Sequence, residues 1–141
     1  MRCDELMKRD VRSVRPQDTA QLAAQRMRDE NLGFLPVCDD SGQVLGTITD
    51  RDLAIRVLAG GMPADTHVED VFTHEVIACD PADDLHDAQA MMARFHKSRI
   101  MCLDAGQRLV GVISLSDIAQ QASEARAART LRQISQREVR A

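Results

Sequence analysis

The sequence predicts an α/β fold: two β-α-β-β-α repeats packed on each other with pseudo-two-fold symmetry, followed by a C-terminal helical extension. Three observations support this. The chain matches itself without a gap at a shift of 65 residues, each copy alternates strand-period with helix-period hydrophobicity, and no glycine or proline follows Ser114. In the self-match Met7 falls on Phe72, Val11 on Val76, Pro16 on Pro81, Asp18 on Asp83, Ala23 on Ala88, Met27 on Met92, Asp39 on Asp104 and Leu45 on Val110. A fixed period through core, turn and motif positions marks one structural unit used twice.

Each element then follows in order. A short extended piece, "VRSV" or "VIAC", ends near Pro16 or Pro81, because proline disfavours helix in the residue before it. A helix comes next, with Asp18 read as its N-cap and Gln21 as the capping-box partner. Apolar positions 20, 23, 24 and 27 recur at helical spacing, and Gly33 is placed to end the helix in a left-handed conformation. Positions 85, 88, 92 and 95 repeat that face. Two strands follow, "FLPVC" and "VLGTIT" around the turn "DDSG", with "IMCL" and "LVGVIS" around "DAGQ" as counterparts. The second helix sets Leu53, Ala54, Val57 and Leu58 on one face until Gly60 and Gly61 stop it.

These readings place repeat 1 at residues 1–60, a linker at 61–68, repeat 2 at 69–122 and a helical tail at 123–141. A half of about 60 residues buries little surface alone, so the halves are expected to pack sheet to sheet. Residues 116–138 read as one long helix with Leu131 and Ile134 along one side. It carries Arg126, Arg129, Arg132, Arg137 and Arg140 against Glu124 and Glu138, the pattern of a solvated helix face.

Composition excludes several function classes. Hydrophobic residues make up 44%, enough for a core. Aromatics are only 2%, namely Phe34, Phe72 and Phe95, which leaves no stacking platform for single-stranded nucleic acid. A net charge of −4 gives no long-range pull toward polyphosphate. The start "MRCDELMKRD" has no secretory apolar stretch and no window approaches a membrane span, so the expectation is a soluble cytoplasmic protein. Cys3, Cys38, Cys79 and Cys102 form no CxxC and no zinc pattern with the four histidines. They read as reduced, buried thiols, and no metal site is expected.

The most informative feature is a doubled motif, "GTITDRDLA" from Gly46 and "GVISLSDIA" from Gly111. In each copy a strand ends at a hydroxyl, Thr49 or Ser114, and an aspartate, Asp52 or Asp117, stands three residues later. A carboxylate can accept two hydrogen bonds from a vicinal diol, and backbone N–H groups at a helix start favour a phosphate. Arg51 and Arg99 are candidate phosphate partners, since a guanidinium grips phosphate bidentately. The plainer alternative is that the aspartates cap the second helix and the hydroxyls bond locally to backbone.

A β-α-β-β-α unit used twice, each ending in Gly-x-Ile-[Thr/Ser]-x-x-Asp-[Leu/Ile], resembles the CBS domain over about residues 4–122. The resemblance implies a regulatory pair of repeats, a Bateman module. Such a module binds an adenosyl compound (AMP, ADP or ATP, or S-adenosylmethionine or NAD) in clefts between repeats, forms a homodimer and signals to a protein partner. It further implies that Asp52 and Asp117 take ribose hydroxyls while Thr49 and Ser114 help place the ribose or phosphate. For the aliphatic walls of an adenine site the candidates are Val11, Val14 and Val37, with Val76, Cys79 and Cys102 by repeat symmetry. Repeat 2 departs from repeat 1 with Met101 in place of Pro36 and "SLSD" in place of "TDRD". Asp50 beside Asp52 repels a phosphate unless Arg51 or Mg²⁺ offsets it, which favours the Asp117 side. No cofactor is required and no nucleophile–base pair or Walker-type glycine loop points to an enzyme. The alternative function is a ligand-free dimer that binds a protein through its Arg-rich C-terminal helix.

Overall fold

The computed structural model describes residues 1–121 and 124–140, without the side chains of 124–127 and 137–140. The chain divides into two compact units, Arg12–Val76 and Met1–Val11 with Ile77–Ala141. These divisions differ from the boundaries at 60 and 68 that the sequence suggests. The opening residues of each sequence repeat belong to the unit that contains the other copy's motif.

In the unit 12–76, Val14 pairs in parallel with Val37 through a single bridge. Helix α1 (Ala20–Glu30) is capped by Thr19, whose hydroxyl oxygen accepts from Leu22 N–H at 3.1 Å. Asp18 is therefore not the cap. Its carboxylate accepts from Arg15 N–H at 2.8 Å and closes the turn one residue earlier. The helix ends at Asn31, left-handed at φ 53°, rather than at Gly33; asparagine is one of the few side chains that tolerate this region. Strands β1 (Phe34–Cys38) and β2 (Val44–Thr49) pair antiparallel with a register shift at Val37/Cys38. The segment 50–58 (α2) starts as one α-helical turn, Asp50–Asp52, and continues as a π-helix, Leu53–Leu58. The wider winding dissolves the apolar face expected there. Val57 is buried, but Leu58 is 80% exposed and Ile55 56% exposed.

Residues 61–68 are not a free connection. The carbonyls of Thr66 and Ala64 accept from Ala20 and Gln21 N–H at 2.7 and 3.0 Å, and Val68 is fully buried. Val68, Val71 and Phe72 complete a core with Leu35, Val37, Ile48, Ala23 and Met27.

The unit of 1–11 with 77–141 repeats this plan. Strand β3 (Ala78–Cys79) runs parallel to β4 (Arg99–Leu103), which pairs antiparallel with β5 (Leu109–Ser114). Between β3 and β4 lies α3 (Leu85–Phe95), capped by Asp84 and ended by left-handed His96. After β5 come α4 (Leu115–Gln121) and α5 (Glu124–Arg140), so every described residue of the helix expected over 116–138 is helical, with residues 122 and 123 outside the description. Helix α5 packs on α3. Ile134 and Thr130 are buried and Leu131 is 53% exposed, so Leu131 and Ile134 do not share a face. Arg126, Arg137, Arg140, Glu124 and Glu138 lie outside the described side chains; Arg129 and Arg132 are exposed.

The motif glycines explain why the repeat openings lie where they do. Lys8 pairs with Val112 and Thr73 with Thr47 through isolated antiparallel bridges, positions that the 65-residue shift relates. Each bridge lays the preceding side chain over a glycine. A Cβ on Gly111 would stand 2.5 Å from Met7 Sδ, and one on Gly46 would collide with the Thr73 carbonyl and meet the Phe72 ring at 2.8 Å. The glycine opening each motif is thus a docking seat for the opening segment of the other sequence repeat.

All four cysteines are free and buried. Cys79 Sγ lies 3.7 Å from Cys3 Sγ and 3.5 Å from Cys102 Sγ. Burial, then the neighbouring Cys79 thiol, pushes the Cys3 thiol up to about 12. A thiol raised on folding disfavours the thiolate, so its contribution to stability is complete below the ordinary thiol range and lost as pH rises toward the folded value. The unfolding free energy from urea titration is expected to fall from about pH 9 upward, by about 2 kcal/mol at about pH 10.5. Cys3→Val should flatten that slope, and an equal slope in the variant would rule out this thiol as its source.

Candidate functional site

Both motifs form reciprocal caps at a strand–helix junction. At the end of β2, Thr49 Oγ1 accepts from Asp52 N–H at 3.0 Å, and Asp52 Oδ2 accepts from Thr49 N–H at 3.0 Å. At the end of β5, Ser114 Oγ accepts from Asp117 N–H at 3.1 Å, and Asp117 Oδ2 accepts from Ser114 N–H at 3.1 Å. The local capping reading is therefore realised in both copies. It leaves each carboxylate with Oδ1 for another partner, and here the copies diverge.

Asp52 is 8% exposed and closely held. The Thr73 hydroxyl donates to its two oxygens at 3.2 and 3.3 Å, and Arg56 Nε lies 3.6 Å from Oδ1 while also reaching the Phe72 carbonyl. Asp117 instead has Lys8 Nζ at 3.4 Å from Oδ1, on a lysine side chain that is 74% exposed. Burial raises the Asp117 carboxyl, but the Ser114 hydroxyl and N–H together with the Lys8 ammonium outweigh it and hold the group below its ordinary value. Lys8 and Thr73 are repeat equivalents, so the same position supplies a solvent-exposed cation in one copy and a short hydroxyl in the other.

The remaining candidates are distributed unevenly. Arg99 is the register partner of Ser114 across β4 and β5. Arg51 is exposed in the first turn of α2. Val14, Val37, Cys79 and Cys102 are core residues, at 1%, 0%, 7% and 0% exposure, with their side chains turned into their own unit. Val76 is exposed and Val11 half-buried. Lys8, Thr73 and Arg56 are site residues that sequence reasoning missed. The signal for the first two was present, since Lys8 and Thr73 directly follow Met7 and Phe72 in the self-match.

A model of the CBS domain matches residues 3–59 and 68–124, both copies of the repeat. The chain belongs to the CBS-domain family. The CBS domain-containing protein YhcV of Bacillus subtilis is 36% identical over 115 residues, which cover 82% of this chain and 81% of that protein. The crystal structure of Hypoxic Response Protein I with two coordinated zinc ions superposes at a TM-score of 0.80 with 27% identity, covering 87% of this chain and all of that one. The CBS domain protein PAE2072 of Pyrobaculum aerophilum, complexed with AMP, shares the fold at a TM-score of 0.77 and 20% identity, covering 93% and 98%. Among the described residues of this CBS pair, no group of three His, Cys, Asp or Glu side chains is placed to hold a metal ion. No helix among them is long and apolar enough to cross a membrane.

Proposed function

We propose that this chain is a cytoplasmic regulatory CBS pair that binds an adenosyl nucleotide of the AMP, ADP or ATP class at the Ser114–Asp117 junction, forms a homodimer and passes ligand occupancy to a protein partner. The observation that carries the reading is the Asp117 carboxylate, ionised and held on its free oxygen by a single exposed lysine. A ribose diol can take over Oδ1 from Lys8, and the released ammonium is then available to a phosphate, alongside Arg99. The half-buried Val11 suits the contact with the base better than the core residues Cys79 and Cys102 of the same unit do. Asp52 is engaged by Thr73, Arg56 and Thr49, which suits a structural brace and favours one principal site per chain. The AMP complex of a protein with the same fold supports this class of ligand.

Melting in the presence of AMP, ADP, ATP and ATP with Mg²⁺ tests the reading. A ligand at 100 times its dissociation constant adds about 2.7 kcal/mol, a shift of roughly 5–10 °C for a chain of this size. Flat curves at millimolar nucleotide would overturn it. Because a depressed carboxyl remains charged to lower pH, affinity should hold from neutrality down to about pH 5 and the Asp117 contribution to stability should vanish only as pH falls through its folded value. Replacement Lys8→Met should raise the Asp117 carboxyl in an NMR titration and weaken ATP more than adenosine. Equal losses for both ligands would remove Lys8 from the phosphate.

The alternative of a ligand-free interaction module through the C-terminal helix needs a test other than deletion. Helix α5 buries Thr130 and Ile134, so removing 123–141 should itself lower the melting temperature. Charge reversal at exposed Arg129 and Arg132 keeps the fold and reads partner binding alone.

A further inference from the structure

Helix α5 has no counterpart in repeat 1, and it creates a groove against α3 that holds a second, chemically distinct set of groups. The groove has a volume of about 530 Å³ and is lined by His86, Gln89, Arg94 and His96 from α3 and its cap, and by Arg129 and Gln133 among others from α5. Volumes of this size suit small-molecule sites. No carboxylate lines it among the described residues, although the chain as a whole is acidic. Arg94, Arg129 and His86 are exposed at its rim. The Arg94 guanidinium lies 5.3 Å from the Phe95 ring centroid, and His96 Nδ1 is 3.1 Å from the Gln133 carbonyl oxygen.

At the base of this groove stands Gln89, 3% exposed, with no hydrogen-bond partner for its Nε2 or its Oε1 among the described residues. Buried amides are nearly always paired, because an orphaned donor and acceptor lose their hydration without replacement. Repeat 1 has Ala24 at the matching position, so the shared fold does not require a polar group here. An unpartnered amide beneath a cationic, acid-free rim calls for a ligand that supplies acceptors.

From this we infer that the α3–α5 groove is a binding site for a small oxyanion, phosphate or carboxylate, gripped by Arg94 and Arg129 at the rim and by the turned Gln89 amide at the base. The site is separate from the Ser114–Asp117 junction and stands independently of the nucleotide reading.

Inorganic phosphate and citrate probe the two anion chemistries, and the one giving the larger shift at equal concentration identifies the preferred class. Titrated into the full chain to roughly millimolar levels, the range of a weak metabolite site, either anion should move the NMR resonances of the His86 and His96 rings. Sodium chloride at matched ionic strength should not. Arg94→Ala with Arg129→Ala should reduce the response at least tenfold. No movement with either anion, equal movement with chloride, or an undiminished response in the double variant would overturn the proposal. Gln89→Met supplies a second reading: it should raise the melting temperature of the free protein while cutting the stabilisation by the anion. Unaltered anion stabilisation in Gln89→Met would remove the amide from the site.

Discussion

Gly46→Ala is expected to destabilise the protein by about 3 kcal/mol, at the upper end for an overpacked core, and to lower the melting temperature by roughly 10 °C. The added methyl meets the Thr73 carbonyl and the Phe72 ring. The carbonyl is fixed, because Thr47 and Thr73 exchange backbone hydrogen bonds at 2.9 Å in both directions. Relief therefore requires moving the whole segment that carries Val68, Val71 and Phe72 in the core. At Gly111→Ala the nearest atoms are Met7 Sδ at 2.5 Å, Cγ at 2.7 Å and Cβ at 3.0 Å, and a new rotamer of the unbranched thioether relieves the two closest. This substitution should cost less than half as much. Parallel urea titrations of the two variants decide the matter, and equal losses would mean that the docked segments do not press on the motif glycines as described.

Asp117→Asn is expected to weaken adenosyl nucleotide binding about 100-fold, or about 2.7 kcal/mol, the worth of charged hydrogen bonds to a diol. The matching Asp52→Asn should change affinity by less than about threefold, yet lower stability by about 1–2 kcal/mol through its capping box and its bonds to Thr73 and Arg56. Calorimetric titration paired with melting curves separates the two effects. Equal affinity losses at both aspartates would replace the one-site reading with two equivalent sites, and stronger loss at Asp52 would reverse the assignment.

Much of the fold was legible because it depends on local chemistry repeated at a fixed distance. The strands at Phe34–Cys38 and Val44–Thr49 lie where alternation and the "DDSG" turn put them, and the second pair follows by symmetry. Helix ends were harder. Thr19 outcompetes Asp18 for the cap because the Asp18 carboxylate already closes the preceding turn on Arg15. Leu53, Ala54, Val57 and Leu58 read as one face only if the helix has ordinary winding, and the π-helix from Leu53 to Leu58 removes that premise. The core valines Val14 and Val37 looked like ligand walls because sequence marks a residue as apolar without saying which way it points.

By itself the sequence determined the doubled unit, its element order and the Thr49–Asp52 and Ser114–Asp117 pairs, since each is set by spacing along the chain. The reciprocal caps follow from that spacing, as a hydroxyl and a carboxylate three residues apart at a helix start reach each other's N–H groups. Only the tertiary structure decided which outside group meets each carboxylate. Lys8 and Asp117 are 109 positions apart, and Thr73 and Asp52 are 21 apart. They meet because bridges over Gly111 and Gly46 dock each repeat's opening segment against the other copy's motif. A side chain's partner across such a bridge depends on which segment is seated there, and nothing local to either motif encodes it.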